Sequence, residues 1–303
     1  MNKFNVVVTG SSGFVGQNLI PYLAYSEIRC ISLSLRNNWE LETLRQYEAI
    51  IHLSGKAHDT KNTSDPHEYF QINTALTIRL FDLFLKSSTR DFIYFSSVKA
   101  VADTAPDILM EDAIPNPKTS YGQSKQKAEE YLLSKALPEG KRLFILRPCM
   151  IHGPGNKGNL NLLYNVVKKG IPYPLGSFEN KRSFLSIDNL LFVLRNIIED
   201  KTIPGGIYNV ADDEAISTNA LIKIIAKASS SSGRIWYVSK GLISGMAKLG
   251  DKLRLPLNSE RLKKLTESYV VSNEKIKKAL NIDTLPMTAE QGLEKTIKSF
   301  QNK

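Results

Sequence analysis

The chain has 303 residues, of which 42% are hydrophobic and 23% charged, as in ordinary globular proteins with one large and one smaller domain. No apolar run approaches the roughly 20 residues that a membrane-spanning helix needs, and no leader pattern precedes the first strand. The charge of +10 comes from scattered lysines, which favours anionic small ligands over nucleic acid. Cys30 and Cys149 are predicted to be buried thiols of a cytoplasmic protein without stable membrane insertion.

In the first half, short β-rich runs alternate with longer helical patterns, which is typical of a parallel sheet covered by helices. The predicted strands are 4–8, 29–33, 49–53, 92–95, 143–146 and, later, 207–210. Apolar spacing predicts helices over 15–24, 67–85, 121–137 and 187–199. The predicted fold class is therefore α/β, a doubly wound parallel sheet with a smaller, mostly helical substrate domain.

The second half begins with a Gly-, Pro- and Asn-rich stretch at 153–159, followed by a helical pattern to about Lys169. We assign 1–148 and 182–212 to the dinucleotide-binding domain, and 149–181 and 213–303 to the substrate domain. The pattern after Ser217 is mostly helical. Within it, the amphipathic, basic stretch 240–255 either packs on the substrate domain, the favoured interpretation, or touches an anionic membrane.

A glycine-rich turn follows the first predicted strand and opens the first predicted helix. Gly10, Gly13 and Gly16 would allow a tight turn, close approach to a pyrophosphate and close packing of helix on strand. The helix N-terminus offers unpaired N–H groups to the phosphates. Although the spacing is one residue wider than the common fingerprint, its position predicts a dinucleotide site that also includes Ser12, Phe14 and Val15.

The second predicted strand lacks the acidic residue that would bind the hydroxyls of the adenosine ribose. Ser34 stands in that place and Arg36 follows, and a guanidinium suits a 2′-phosphate. The sequence therefore favours NADP(H). NAD(H) is the alternative if Arg36 stacks on adenine or faces water.

Three further side chains are candidates for hydride-transfer chemistry. Ser97 ends the fourth predicted strand, and Tyr121 and Lys125 lie four residues apart on one helix face. A tyrosine has a pKa near ~10, which a lysine ammonium one turn away would lower. Ser97 would then hold the substrate oxygen, Tyr121 would move the proton, and Lys125 would also bind the nicotinamide ribose. An exposed Tyr-x-x-x-Lys pair is common on helices, but its position after the glycine loop favours catalysis.

Other polar residues receive structural interpretations. The four histidines fit no common zinc spacing, so the sequence predicts no metal site. His52 ends an apolar strand and is interpreted as a core or supporting histidine. Glu111 and Asp112 precede Pro115 and are assigned to capping or solvent.

Together these motifs resemble the extended short-chain dehydrogenases/reductases of the nucleotide-sugar epimerase/dehydratase/reductase type, over essentially the whole chain. The resemblance extends to Leu146-Arg147-Pro148, His152-Gly153-Pro154-Gly155, the segment 182–189 and Tyr208-Asn209-Val210. It implies further cofactor contacts at Leu53, Ser54, Gly55, Asn73, Ser96 and Pro148. It implies substrate contacts at Lys99, Asn159, Arg182 and Arg261, although a surface salt bridge explains Arg261 equally well. A homodimer through helices 67–85 and 121–137 would also follow.

Within this family, the runs 52–58, 96–99 and 176–183 are most similar to reductases and epimerases of UDP-linked 4-keto-6-deoxy-N-acetylhexosamines in surface-polysaccharide biosynthesis. A reductase would use NADPH, whereas a 4-epimerase would retain NAD, and the same residues serve both; Arg36 favours the reductase. Val98-Lys99 occupies the place where dehydratases carry an acid-containing pair, which argues against dehydration. A non-catalytic NADP-sensing regulator is a third alternative, disfavoured by the intact Tyr121 and Lys125.

Overall fold

A six-stranded parallel sheet forms the centre of the molecule. The computed structural model describes residues 4–36, 39, 47–57, 65–105, 107–156, 158–253 and 258–301. The sheet contains β1 (Phe4–Thr9), β2 (Ile28–Leu33), β3 (Ala49–His52), β4 (Asp91–Phe95), β5 (Arg142–Pro148) and β8 (Gly206–Val210), in the order β2-β1-β3-β4-β5-β8. The predicted fold class is thus confirmed. Of the predicted segments, His58 at the end of 52–58, Lys157 within 153–159 and Leu255 at the end of 240–255 lie outside the described residues.

Helices cover both faces of the sheet because successive strand residues point in opposite directions. Val6 and Val8 belong to one buried cluster and Val7 to another. The first six helices are α1 (Phe14–Tyr25), α2 (Pro66–Tyr69), α3 (Leu76–Lys86), α4 (Ser120–Leu133), α5 (Asn159–Lys168) and α6 (Ile187–Glu199). Those that follow are α7 (Thr218–Ser229), α8 (Lys240–Leu253), α9 (Ser259–Thr266), α10 (Glu274–Leu280) and α11 (Ala289–Gln301).

Two predicted helices differ from the observed ones. The predicted helix 67–85 is interrupted by a π-helical segment, Phe70–Ala75, which separates α2 from α3. The side chain of Asn73 within it bonds to groups outside the helix, which is typical of π-helical turns at functional positions. The predicted helix 121–137 ends at Leu133, four residues earlier, with the N–H of Ser134 closing the last turn.

A second, two-stranded sheet was not predicted. It pairs β6 (Met150–His152) with β7 (Phe184–Ser186) in parallel and joins the two predicted domains, whose division stays a prediction. The C-terminal helices contribute to two further buried clusters, the smaller of which holds Leu175, Ile243, Ala247 and Leu262. Within the described ranges, none of the helices combines the length and apolar character needed to cross a bilayer.

Candidate active site

The carboxyl ends of four neighbouring strands bring many of the predicted site residues to one edge of the sheet. Gly10 follows β1, residues 53–55 follow β3, Ser96 and Ser97 follow β4, and Pro148 is the last residue of β5. Ligands of open parallel sheets bind at this edge. The arrangement therefore provides one crevice for a cofactor and a substrate.

The glycine loop leaves no room for side chains where it meets the β3 loop. Gly10 has φ +69°, and a Cβ there would lie 2.7 Å from the backbone nitrogen of Ser54. A Cβ at Gly16 would lie 2.5 Å from the carbonyl oxygen of Ser11. Gly13 is the N-cap of α1 and supplies no side-chain cap, while Ser12 and Gly13 are exposed and Phe14 and Val15 half-buried. The N-terminus of α1 has no side-chain cap, and the glycines before it carry no side chains. Such a helix N-terminus fits the diphosphate of a dinucleotide.

The residues that would select the dinucleotide lie after β2. Ser34 and Arg36 are both exposed, and the Arg36 N–H donates to Ser34 Oγ over 3.4 Å. The guanidinium of Arg36 therefore stays accessible to a ligand at the carboxyl end of β2. Its contact with a 2′-phosphate remains a prediction.

Asn73 connects the β3 loop to α4. Its Oδ1 accepts from the Lys56 N–H at 2.7 Å, and its Nδ2 donates to Lys56 O at 3.1 Å and to Ser124 Oγ at 3.0 Å. A Cβ at Gly55 would lie 3.0 Å from Asn73 Oδ1 and 3.2 Å from Lys125 Nζ. Asn73 thus holds Gly55 beside Lys125, a role that supports the site and was not recognised from the sequence.

A continuous hydrogen-bond chain runs beneath the loop through His52, which is fully buried. Thr9 Oγ1 lies 2.7 Å from His52 Nδ1, and Thr77 Oγ1 lies 2.8 Å from His52 Nε2. The Thr77 hydroxyl donates to Asn73 O and Thr9 Oγ1 accepts from Ser54 N–H, so these partners assign the imidazole proton to Nε2. Burial, and then the charge of Lys125, lowers the pKa of His52 to about 3, which keeps the ring neutral.

The Ser97 side chain is close enough to Tyr121 to lower the pKa of its phenol. Ser97 Oγ also accepts from the Lys99 N–H at 3.2 Å, which fixes the 3₁₀ turn Val98–Ala100. The turn packs on the start of α4 because Gly122 has no side chain: a Cβ there would lie 2.4 Å from Lys99 O. Both hydroxyls therefore converge on one place, where a substrate oxygen can accept from both.

Tyr121 and Lys125 have pKa values shifted by their surroundings. Burial raises the pKa of Tyr121, and Ser97 partly opposes this shift, so the predicted lowering by Lys125 is wrong. Burial lowers the pKa of Lys125 to about 8, although Glu129 one turn on raises it. The Lys125 ammonium donates to Phe95 O at 2.7 Å and lies 4.9 Å from the centre of the Tyr94 ring. Tyr121 thus keeps its proton near neutral pH and suits proton donation.

A buried ion pair lies one helical turn beyond Lys125. Arg147 Nη2 donates to Glu129 Oε2 at 2.6 Å, and both side chains are 3% exposed. Ser96 Oγ donates to the other carboxylate oxygen, Oε1, which links the pair to the residue before Ser97. Glu129 was not predicted as part of the site, although its position four residues after Lys125 places it on the same helix face.

The structure brings two of the predicted substrate residues together. Lys99 Nζ donates to Asp103 O at 2.7 Å and lies 4.4 Å from the centre of the Tyr269 ring. Burial lowers the pKa of Lys99, Asp103 and Glu267 raise it, and Arg182 adds to the lowering, so Lys99 and Arg182 are electrostatic neighbours.

Arg182 is half-buried, and its Nε donates to Glu267 O at 3.2 Å. Asn159 is exposed at the first residue of α5, and Arg261 is exposed on α9, so these two lie on different helices. The substrate roles of all four residues stay predictions. In the part of the chain that the structure describes, no group of three or more His, Cys, Asp or Glu side chains is arranged to hold a metal ion.

Comparison with known proteins places this geometry among enzymes of nucleotide sugars. A model of the NAD dependent epimerase/dehydratase family matches residues 6–211. UDP-glucose 4-epimerase of Vibrio cholerae is 30% identical over 249 residues, 74% of this chain and 75% of that protein. GDP-6-deoxy-D-mannose reductase of Pseudomonas aeruginosa is 28% identical over 238 residues, 72% of this chain and 78% of that protein.

Solved structures agree in fold at lower sequence identity. The structure of RMD from Pseudomonas aeruginosa complexed with NADPH matches with a TM-score of 0.74 and 22% identity. The match covers 99% of this chain and 100% of that one. The two chains therefore share their overall fold.

Proposed function

The chain belongs to the NAD-dependent epimerase/dehydratase family, and from this premise we propose that it is an oxidoreductase acting at C4 of a nucleotide-linked sugar. The proposed reaction is the NADPH-dependent reduction of a UDP-linked 4-keto-6-deoxy-N-acetylhexosamine in surface-polysaccharide biosynthesis. The observation that carries this proposal is the placement of Ser97, at the carboxyl edge of the sheet, beside Tyr121, which lies on the helix that also carries Lys125.

The side chains of the pair have complementary roles in reduction. Ser97 donates a hydrogen bond to the sugar C4 oxygen and orients the ketone. Tyr121 donates its phenolic proton to the same oxygen and afterwards recovers a proton from solvent. Lys125, as the ammonium, stabilises the tyrosinate that this transfer leaves behind. When bound, the nicotinamide cofactor supplies the hydride that adds to C4.

The chain's own residues support binding of the reduced phosphorylated cofactor. Gly10 and Gly16 leave the backbone accessible, the N-terminus of α1 meets the diphosphate, and the exposed Arg36 meets the 2′-phosphate. An enzyme that exchanges its cofactor at each turnover suits a net reduction. NADPH is therefore the cofactor we propose.

A 4-epimerase is the second candidate, and the similarity to the Vibrio cholerae 4-epimerase favours it. In that reaction Tyr121 first takes the proton from the C4 hydroxyl and later returns it. The raised pKa of Tyr121 leaves less of the tyrosinate that the first step needs, which is why we place reduction first. The two candidates differ in whether the cofactor leaves after each turnover.

The decisive experiment is a cofactor measurement on the purified protein. Released nucleotide is identified first, and intrinsic fluorescence is then titrated with NADPH, NADH and NAD. Selective NADPH binding to cofactor-free protein supports the reductase, whereas NAD that copurifies at one per chain supports the epimerase. Arg36→Ala should weaken NADPH binding while leaving NADH unchanged, and Arg29→Ala, an equally charged exposed position on β2, is the matched control.

The substrate is tested by turnover. A UDP-linked 4-keto-6-deoxy-N-acetylhexosamine should consume NADPH in equal amount to the alcohol formed. UDP-N-acetylglucosamine without added cofactor should remain unchanged. Interconversion of that sugar with its C4 epimer would replace the reductase proposal with the epimerase.

A further inference from the structure

Exposed apolar side chains are concentrated in one stretch of the chain, from Trp236 to Leu265. Of the sixteen large hydrophobic residues that are exposed among those described, seven lie in the interval 236–265. Four of them form what we call the α8 stripe: Leu242, Met246, Leu249 and Leu253, which are 51–60% exposed. Single exposed leucines need no explanation, but a contiguous row on one helix indicates an interaction surface.

The α8 stripe is separate from the face by which α8 packs on the protein. Ile243, Ala247 and Gly250 are buried, and the first two join the small cluster with Leu175 and Leu262. The stripe residues are spaced by three and four positions, as the buried residues are, but the two sets are offset by one position. The stripe therefore occupies the neighbouring arc of the helix. The packing of α8 on the protein is thus complete without the stripe residues.

Positive charge flanks the stripe. Lys248 and Lys252 are exposed on the side of the stripe away from the core, and the structure records no ion pair for either within its described ranges. The acidic residue of α8, Asp251, accepts from Ser259 N at 2.9 Å and from Ser259 Oγ at 2.5 Å. Its carboxylate is therefore engaged in holding the start of α9.

The segments on either side of α8 have the same character. Trp236 and Tyr237, which precede α8 by a few residues, are 57% and 67% exposed. On α9, which packs against α8, Lys263 and Leu265 are exposed and Glu260 is paired with Lys264 at 2.6 Å. Aromatic, aliphatic and basic side chains in one region are the composition of helices that lie in the interface of an anionic bilayer.

We propose that the α8 stripe with Lys248 and Lys252 docks the protein reversibly on an anionic phospholipid surface. The apolar residues would enter the boundary between headgroups and acyl chains, and the lysines would meet the lipid phosphates. A second copy of this chain is a poorer occupant, because a two-fold contact through the stripe would bring the same lysines close to one another. The docking is independent of the reaction proposed above.

Cosedimentation with vesicles tests this proposal on the full chain. The wild type should bind phosphatidylglycerol/phosphatidylcholine vesicles, release from them as salt is raised, and bind phosphatidylcholine alone at least tenfold more weakly. Lys248→Gln and Lys252→Gln should each weaken the partition by about fivefold. Met246→Ser with Leu249→Ser should abolish binding, and Leu162→Ser on α5, 65% exposed, should not affect it.

Three results would overturn the docking. These are equal binding by the wild type and the Met246/Leu249 double variant, binding that is insensitive to salt and lipid charge, and a stable dimer that the double variant converts to monomers. Because all the altered side chains are exposed, the variants should retain the wild-type circular dichroism spectrum and unfolding midpoint. NADPH affinity, measured on the same samples, should not change, so a failed docking leaves the proposed function untouched.

Discussion

The carboxyl edge of the sheet buries polar groups, whereas the α8–α9 region exposes apolar ones. At the edge, His52, Asn73 and Lys125 are buried, and each is hydrogen-bonded to a neighbouring strand end or loop. At α8–α9, lysines lie in solvent and the buried cluster contains four side chains, whereas large apolar residues are exposed. Chemistry on a carbonyl needs dipoles fixed before the substrate arrives, whereas a docking surface needs groups that are free to rearrange. The comparison predicts that changes at the edge have large effects and changes on α8 small ones.

Replacing Tyr121 with Phe should give the largest effect, a loss of turnover of roughly 10²–10⁴-fold, because no other hydroxyl on α4 can supply the proton. NADPH affinity should remain at the wild-type value in the fluorescence titration. Tyr131→Phe on the same helix, which removes the hydrogen bond from Tyr131 Oη to Asp82, is the control and should keep full activity. Undiminished turnover by Tyr121→Phe would refute the catalytic assignment.

Glu129→Gln should lower the free energy of unfolding by about 3–5 kcal/mol, since it leaves the buried guanidinium of Arg147 without its carboxylate. Chemical denaturation measures this change. The corresponding substitution in a partly exposed pair, Glu294→Gln opposite Lys227, should cost at most about 1 kcal/mol. The double variant Glu129→Leu/Arg147→Met should be more stable than Glu129→Gln, because no charge stays buried alone. Equal losses for the two single variants would contradict the contrast between the regions.

The rate of reduction should decrease as pH rises above about 8. The pKa of Lys125 is lowered to about 8 in the folded protein, so its ammonium is present below that pH and lost above it. Tyr121, whose pKa is raised, keeps its proton over the same range. A profile of kcat/KM against pH would show this decrease, and Glu129→Gln should shift it to lower pH because Glu129 supports the charged lysine. A profile flat up to pH 10 would exclude a role for the Lys125 charge.

The smallest expected effect is a gain on α8. Gly245 lies within the helix, and a Cβ there would meet nothing within 4 Å. Gly245→Ala should therefore raise stability by about 0.5–1 kcal/mol, measured by denaturation, with turnover unchanged. Gly122→Ala, whose Cβ would lie 2.4 Å from Lys99 O, is the opposite case at the edge and should lower both stability and turnover. A loss of stability at Gly245 would show that the exposed side of α8 is more constrained than we infer.

The sheet and the site could be predicted to different depths from the sequence. Each strand of the six-stranded sheet is a short β-rich run bounded by turn residues, and the glycine loop has its own spacing. These local signals were enough to predict the sheet and the glycine loop. The π-helical segment depends on Asn73 reaching Lys56 and Ser124, and the chain through His52 depends on Thr9, 43 residues away. No local pattern encodes such pairs, which exist only once the strands and helices are packed.

The hydrogen-bond chain through His52 has a consequence for proton movement. Its two ends are backbone groups that cannot exchange roles: the Ser54 N–H can only donate, and the Asn73 carbonyl can only accept. Every hydroxyl and ring nitrogen between them must therefore point in one direction, and reversing any single member would leave two donors or two acceptors facing each other. This hydrogen-bond chain therefore cannot relay protons to the active site. It holds the imidazole in a single tautomer and joins β1, β3 and the helical segment at Asn73 next to the candidate active site.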